Sequence, residues 1–156
     1  CTGIRRRPEL GAPEGFAAGV GPDGLDAALP EADVLVLAAP LTAGTRSLMT
    51  AGRLDRLPAG AIVVNVGRGA LLDERALAER LRGGKLRGAV LDVFETEPLP
   101  AESPLWGLER ALVSPHVSGV SPRRFWDRQL ALIVDNWRRH QAGEPMRNVV
   151  DQHAGY

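Results

Sequence analysis

The chain has 156 residues, 44% hydrophobic and 24% charged, which suits one ordinary globular domain and excludes disordered, collagen-like and coiled-coil classes. Nineteen basic and nineteen acidic side chains cancel, so no charge footprint marks a nucleic acid or an anionic membrane, and neither partner is expected. One cysteine, Cys1, excludes an internal disulfide framework. The longest apolar run, at 34–41, is far short of the roughly 20 residues that span a bilayer, and no secretory signal is visible, so the expected compartment is the cytoplasm.

Positions 1–5 predict a short buried strand, and because the chain opens on Cys1 in mid-strand we expect a fragment. Arg5, Arg6 and Arg7 then lead to Pro8 and a Gly/Pro/Ala-rich stretch, 11–24, read as an irregular linker. A short helix is predicted over 23–29 with Asp23 as its cap. The continuous apolar run 33–39, closed by Pro40, predicts a strand covered on both faces, as in a parallel sheet. A helix over 48–57, a strand over 61–66, a helix over 73–81 capped by Asp73, and strands over 86–91 and 110–113 follow. This alternation predicts an α/β fold: a doubly wound parallel sheet with helices on both faces. An amphipathic helix is predicted over 122–140, with Trp126 and Trp137 read as core or interface, and Gly143 and Pro145 end it.

The polar residues collect just after strand ends: Arg5, then Pro40 and Thr42, Arg68, Asp92 and His116. In an open parallel sheet ligands bind at the carboxyl ends of the strands, so all five elements are expected to serve one edge. Gly67-Arg68-Gly69 permits a tight turn and presents a guanidinium that can grip a carboxylate with two parallel hydrogen bonds. His116 can move a proton near neutral pH. A carboxylate from the loop stiffened by Pro98 and Pro100 would orient the ring, and on sequence grounds Glu95 and Glu97 compete for that role. Singly, each of these residues has an ordinary structural explanation: a solvated turn arginine, a strand-capping histidine, a loop charge. No metal is expected, because His116, His140 and His153 are scattered and no clustered cysteines or His-Glu-x-x-His spacing occurs. A nucleophile elbow, Gly-x-Ser-x-Gly, is absent too.

Three blocks in this order and spacing resemble the D-isomer-specific 2-hydroxyacid dehydrogenases: Asn65-Val-Gly-Arg-Gly-Ala-Leu-Leu-Asp73, Gly88-Ala-Val-Leu-Asp-Val-Phe-Glu-Thr-Glu-Pro-Leu-Pro100 and Ser114-Pro-His-Val117. Pro40-Leu-Thr-x-x-Thr45 adds a fourth block, and the resemblance covers nearly the whole chain. Ser103-Pro-Leu-Trp106, Pro115-His-Val117 and the ending Asp151-x-x-x-Gly-Tyr156 are most similar to the glyoxylate- and hydroxypyruvate-reducing branch. The resemblance implies a Rossmann-like NAD(P)-binding domain over 1–119 that lacks its first βα unit. It implies that 120–156 returns to a substrate domain, so that the chain is a C-terminal fragment of a two-domain enzyme, dimeric when full length.

The reaction so implied is reduction of a small 2-keto acid to the 2-hydroxy acid by hydride from NAD(P)H. Arg68 would bind the substrate carboxylate and polarise its keto group, Glu97 rather than Glu95 would partner His116, and His116 would donate the proton. Asp92, Val66 and Gly67 would line the nicotinamide and its ribose, with Ala39 and Pro40 along the cofactor, and Ser118 and Gly119 beside the carboxamide. The family pattern has a Gly-rich phosphate loop ahead of the first strand and a glycine two residues after its histidine; no such loop precedes Thr2, and Ser118 stands at the second position with Gly119 next. Arg5 and Arg6 stand where NAD-using relatives of this fold place an acid, so NADPH is favoured over NADH. Two alternatives remain open: a non-catalytic NAD(H)-binding regulator, and a formate- or phosphite-type dehydrogenase on the same fold. Alone, the chain is not expected to turn over.

Overall fold

Residues 1–119 and 124–152 are described in the computed structural model. Among these residues six strands form in chain order: β1 (Thr2–Ile4), β2 (Ala18–Val20), β3 (Val34–Leu37), β4 (Ile62–Asn65), β5 (Gly88–Leu91) and β6 (Ala111–Val113). Between and after them lie α1 (Leu25–Ala28), α2 (Ala51–Arg56), α3 (Glu74–Arg82) and α4 (Phe125–Ala142). Strands β3, β4, β5 and β6 pair in that order, all parallel, while β1 and β2 form a separate two-stranded parallel sheet. Parallel neighbours require a crossover, which α2 supplies between β3 and β4 and α3 between β4 and β5.

Alternation along the strands decides the core. Leu37, Val63, Ala89 and Leu91 share one sheet face and pack with Leu25 and Leu29, with Leu54 of α2, and with Leu77 and Leu81 of α3. Burying each such leucine is worth roughly 1.5–3 kcal/mol. Asp73 caps α3 as its sequence predicts, accepting from the Ala76 N–H at 2.9 Å. Gly143 closes α4 in the left-handed conformation, with φ 69°.

Several local expectations give way. The strand at 1–5 forms, but Thr2 and Ile4 are exposed, and β1 pairs with β2 alone among the described residues. The expected linker at 11–24 contains β2, which pairs in register with β1 at Gly3 and Gly19. Asp23 lies in a 3-10 turn and does not cap α1; Gly24 occupies that position without a side-chain bond. Helix α2 starts at Ala51, with Thr50 as its cap, because Met49 is drawn into a bridge with Leu72. The run 33–39 is buried on one face alone: Val34 and Val36 are 52% and 56% exposed, and Val36 lies in register with Val64 on β4. Described helices α1, α2 and α3 cover the opposite face, so the expectation of helices on both faces is met on one. Trp126 and Trp137, read as core or interface, are 71% and 62% exposed and belong to no core among the described residues, so of the two readings the interface stays open. The start of the predicted helix at 122, and His153 and Tyr156 in the tail, lie outside the described residues.

Two glycines give opposite predictions. A Cβ on Gly69 would lie 1.8 Å from the Phe94 carbonyl carbon, a backbone atom that cannot swing aside. Gly69→Ala is therefore expected to cost about 3 kcal/mol or more. A Cβ on Gly52, inside α2, meets nothing within 4 Å. Gly52→Ala is expected to stabilise by about 0.5–1 kcal/mol, since alanine is the better helix former. Thermal unfolding of both variants checks the pair.

Candidate functional site

Four strands of the larger sheet end on one edge, and each hands a loop to it. After β3 come Ala39 and Pro40, followed by a loop that Thr45 knits together. The Thr45 hydroxyl donates to the Pro40 carbonyl at 2.6 Å and accepts from the Thr42 N–H at 2.8 Å, which gives the Pro-Leu-Thr-x-x-Thr spacing a physical reason. After β4 come Val66, Gly67 and Arg68; after β5, Asp92; after β6, Ser114 to Ser118 with His116 among them. Arg5 and Arg6 follow β1, which belongs to the separate two-stranded sheet. The Arg5 guanidinium donates to the Gly11 carbonyl at 2.9 Å.

Glu97 and His116 meet. Glu97 Oε2 lies 2.8 Å from His116 Nδ1, and Glu97 Oε1 accepts from the Phe94 N–H at 2.9 Å. The carboxylate is thus held at one oxygen by its own loop and presents the other to the ring. The His116 hydrogen bond, then the Phe94 N–H, and to a smaller extent the Arg68 charge, hold the Glu97 carboxyl below its ordinary range against a desolvation that works the other way. That the Arg68 charge is felt at Glu97 brings all three residues into one electrostatic neighbourhood. Glu95, the rival on sequence grounds, points its backbone N–H at Glu74 instead, and the His116 ring bonds to Glu97. His116 sits at φ 54°, a left-handed conformation uncommon for a non-glycine residue, so its loop must hold it there.

Asp92 supplies that hold. Buried at 2% exposure, its Oδ1 accepts from the Ser114 hydroxyl and the Val117 N–H (2.9 Å), and its Oδ2 from the Ser118 N–H (2.8 Å). Desolvation pushes its carboxyl up, but the hydroxyls of Ser114 and Ser118 and the two backbone N–H groups outweigh it, leaving the group ionised far below the ordinary carboxylate range. Because the folded value lies below the unfolded one, this stabilisation is complete above the ordinary aspartate range near 3.9 and drains away as pH falls through the folded value. Asp92→Asn is expected to cost about 3 kcal/mol at neutral pH, since an amide cannot accept from all these donors. Melting temperature against pH for both proteins checks it: the variant should show the shallower acid slope.

Sequence reasoning passes over Asn65 and Ser114, and the reason is that neither reaches solvent as a charge. Asn65 is 1% exposed; its Oδ1 accepts from the Gly67 N–H at 3.1 Å and its amide donates to the Arg68 carbonyl at 3.0 Å. The signal in the sequence is an amide at a core position of an otherwise apolar strand. Sequence reasoning also passes over Gly19-Val-Gly-Pro-Asp-Gly24, which has Gly-x-Gly-x-x-Gly spacing. Gly19 lies inside β2, however, and the four-residue α1 that follows is too short to act as a phosphate-binding helix.

The edge is a ledge. Val66 and Val117, 36% and 50% exposed, offer apolar surface beside Arg68 and His116. A concavity of about 370 Å³ lies elsewhere, against the first turn of α3, lined by Asp73, Glu74, Arg75 and Glu95 but by none of Arg68, Glu97 and His116. Among the described residues no cluster of three His, Cys, Asp or Glu side chains could hold a metal ion. No helix among them is long and apolar enough to cross a membrane.

A parallel α/β sheet with functional polar groups at its carboxyl edge defines a Rossmann-like, dinucleotide-binding class of protein. The chain belongs to the D-isomer specific 2-hydroxyacid dehydrogenase family, whose NAD binding domain is matched by residues 5–118. It is 41% identical over 138 residues to glyoxylate/hydroxypyruvate reductase A of Salmonella newport, covering 88% of this chain and 43% of that protein. A D-isomer specific 2-hydroxyacid dehydrogenase from Xanthobacter autotrophicus Py2, solved with NADPH and MES, is 40% identical with a TM-score of 0.84, over 99% of this chain and 62% of that one. An NADPH-dependent glyoxylate/hydroxypyruvate reductase from Sinorhizobium meliloti, solved with NADP and sulfate, is 33% identical with a TM-score of 0.84, over 99% and 49%. The chain spans about half the length of the curated relatives it matches.

Proposed function

We propose that this chain is the cofactor-and-catalysis half of an NAD(P)H-dependent reductase of small 2-keto acids such as glyoxylate or hydroxypyruvate. The observation that carries the reading is the Glu97–His116 pair at 2.8 Å, with Arg68 close enough for its charge to act on Glu97, on the carboxyl edge of a parallel sheet. Residues 1–119 form the NAD(P)-binding part in this reading, and 120–156 lead back to a substrate domain. The complete enzyme is a cytoplasmic homodimer.

The residues present fit the nicotinamide end of the cofactor. Val66 and Val117 offer an apolar shelf, and Ala39, Pro40, Gly67, Ser118 and Gly119 stand along the same edge. When bound, the reduced nicotinamide supplies the hydride. Arg68 grips the substrate carboxylate and turns the keto carbon toward the shelf. Glu97 keeps the Nδ1 proton of His116 in place, which leaves Nε2 as the atom that hands a proton to the carbonyl oxygen. Asp92, at the end of β5, acts on the loop that carries His116 by accepting from Ser114, Val117 and Ser118.

NADPH is the favoured cofactor. Arg5 and Arg6 stand at the end of β1, where a 2′-phosphate would pair with a guanidinium and an acid would repel it. The NADPH and NADP bound by the relatives above are consistent with that reading. The test is a panel of glyoxylate, hydroxypyruvate and neutral carbonyls assayed with both cofactors in the complete enzyme. Keto acids should be reduced with an NADPH preference that Arg5→Asp cuts by about tenfold, since one exposed attraction is lost and one repulsion gained. Turnover of no keto acid would favour a non-catalytic NAD(H)-binding role, and a clear NADH preference would remove the assignment to Arg5.

A further inference from the structure

Asn65 occupies a position where its neighbours on the same sheet face, Val63, Ala89 and Leu91, are all apolar and buried. A primary amide there loses its hydration, which is costly unless each end finds a partner. Both ends do, and both partners belong to the turn that presents Arg68. The Gly67 N–H donates to Asn65 Oδ1, and the Asn65 amide donates to the Arg68 carbonyl. These two bonds hold the peptide groups on either side of the Gly67–Arg68 peptide. The carbonyl of that middle peptide accepts from Arg68 Nη1 at 2.7 Å. The guanidinium is therefore tethered to a peptide whose plane the Asn65 amide sets from both sides. Gly67 leaves the turn no lateral freedom, because a Cβ there would meet Leu71 at 2.8 Å and the Ala39 carbonyl at 2.9 Å.

We infer that Asn65 is a positioning residue for Arg68: its buried amide clamps the Asn65–Arg68 turn and so sets where the guanidinium meets a substrate carboxylate. The inference rests on the reading of Arg68 as the carboxylate-binding group. A side chain that only stabilised the strand end would affect every substrate alike. One that aims Arg68 affects the acid far more than its uncharged counterpart, which offers Arg68 a carbonyl but no carboxylate.

The experiment compares glyoxylate with methyl glyoxylate in the complete enzyme, for the unaltered protein, Asn65→Ala and Arg68→Ala. A misaimed binding group costs on the order of 10²-fold, so Asn65→Ala should lower kcat/KM for glyoxylate by about that factor. Methyl glyoxylate should lose at least about tenfold less than the acid, and Asn65→Asp, which keeps the acceptor for Gly67 but loses the donor to Arg68, should fall between the unaltered protein and Asn65→Ala. Equal losses on both substrates, or no loss in a folded variant, overturns the inference. Arg68→Ala separates the two layers: if it leaves the preference for the acid intact, the reading of Arg68 fails, and the role of Asn65 with it. Should Asn65→Ala not fold, hydrogen exchange in the unaltered chain decides. The Asn65 side-chain amide and the Gly67 N–H should both exchange at least about 10²-fold more slowly than free groups, the signature of bonds that open only in larger fluctuations. Free exchange of either overturns the clamp.

Discussion

His116→Gln is expected to lower kcat for keto-acid reduction by about 10³-fold while leaving KM for the cofactor within about threefold, the usual span for removing a general acid being 10²–10⁴. Glutamine keeps a polar side chain of similar reach but has no proton to give at neutral pH. The Glu97 partner makes the prediction sharper. With one oxygen fixed by the Phe94 N–H and the other on Nδ1, Glu97 permits a single useful ring orientation. Glu97→Gln should therefore lower kcat by about 10²-fold on its own, because the amide no longer dictates which ring nitrogen carries the proton. In the double variant the losses should not multiply, since residues acting as one unit are non-additive. Steady-state rates for the four proteins complete the cycle. Unchanged turnover in His116→Gln would remove the proton donor from the mechanism.

Arg68→Ala is expected to lower kcat/KM for the keto acid by about 10³-fold, some 4 kcal/mol of transition-state stabilisation. The arginine is asked to do two things that alanine cannot: bind the carboxylate bidentately and place positive charge beside the carbonyl as it gains electrons. Arg68→Lys should recover part of the loss, because charge returns without the planar fork. Its position supports a demanding geometric role. Gly69, next in the chain, packs so closely on the Phe94 carbonyl that the turn carrying Arg68 and the loop carrying Glu97 lie against each other. Oxalate, a dicarboxylate that resembles a keto acid without being reduced, should lose inhibition in parallel with kcat/KM across the two variants. Inhibition that survives in Arg68→Ala would place carboxylate recognition elsewhere.

Much of the site was legible because it is built at strand ends. Apolar runs with hard stops at Pro40, Gly67, Asp92 and Pro115 locate the carboxyl edge without knowledge of the fold. Choosing Glu97 over Glu95 was different: they stand two residues apart, so spacing alone cannot say which reaches His116, and it took the resemblance to choose and the loop geometry to show the contact. The roles of Asn65 and Ser114 were not legible, since the sequence shows an amide in an apolar strand and a serine in a motif but not the partners each one meets. Nor were the ends of short elements. β2 is three residues in a Gly/Pro-rich stretch, and only pairing with β1 makes it a strand.

By itself, the sequence determined the parallel α/β arrangement, the Asp73 cap and the strand-end placement of Arg68, Asp92 and His116. Each of these follows from local rules: the length of an apolar run, the chemistry of a cap, the residue that follows a strand. The tertiary structure decided what depends on distance across the chain. It brought Glu97 onto His116 over 19 residues and closed Asp92 on a loop 22 to 26 residues away. It also left one face of β3 open, although the same apolar run read as covered on both sides. Hydrophobicity specifies that a surface favours burial, but which partner covers it is settled only when the elements meet.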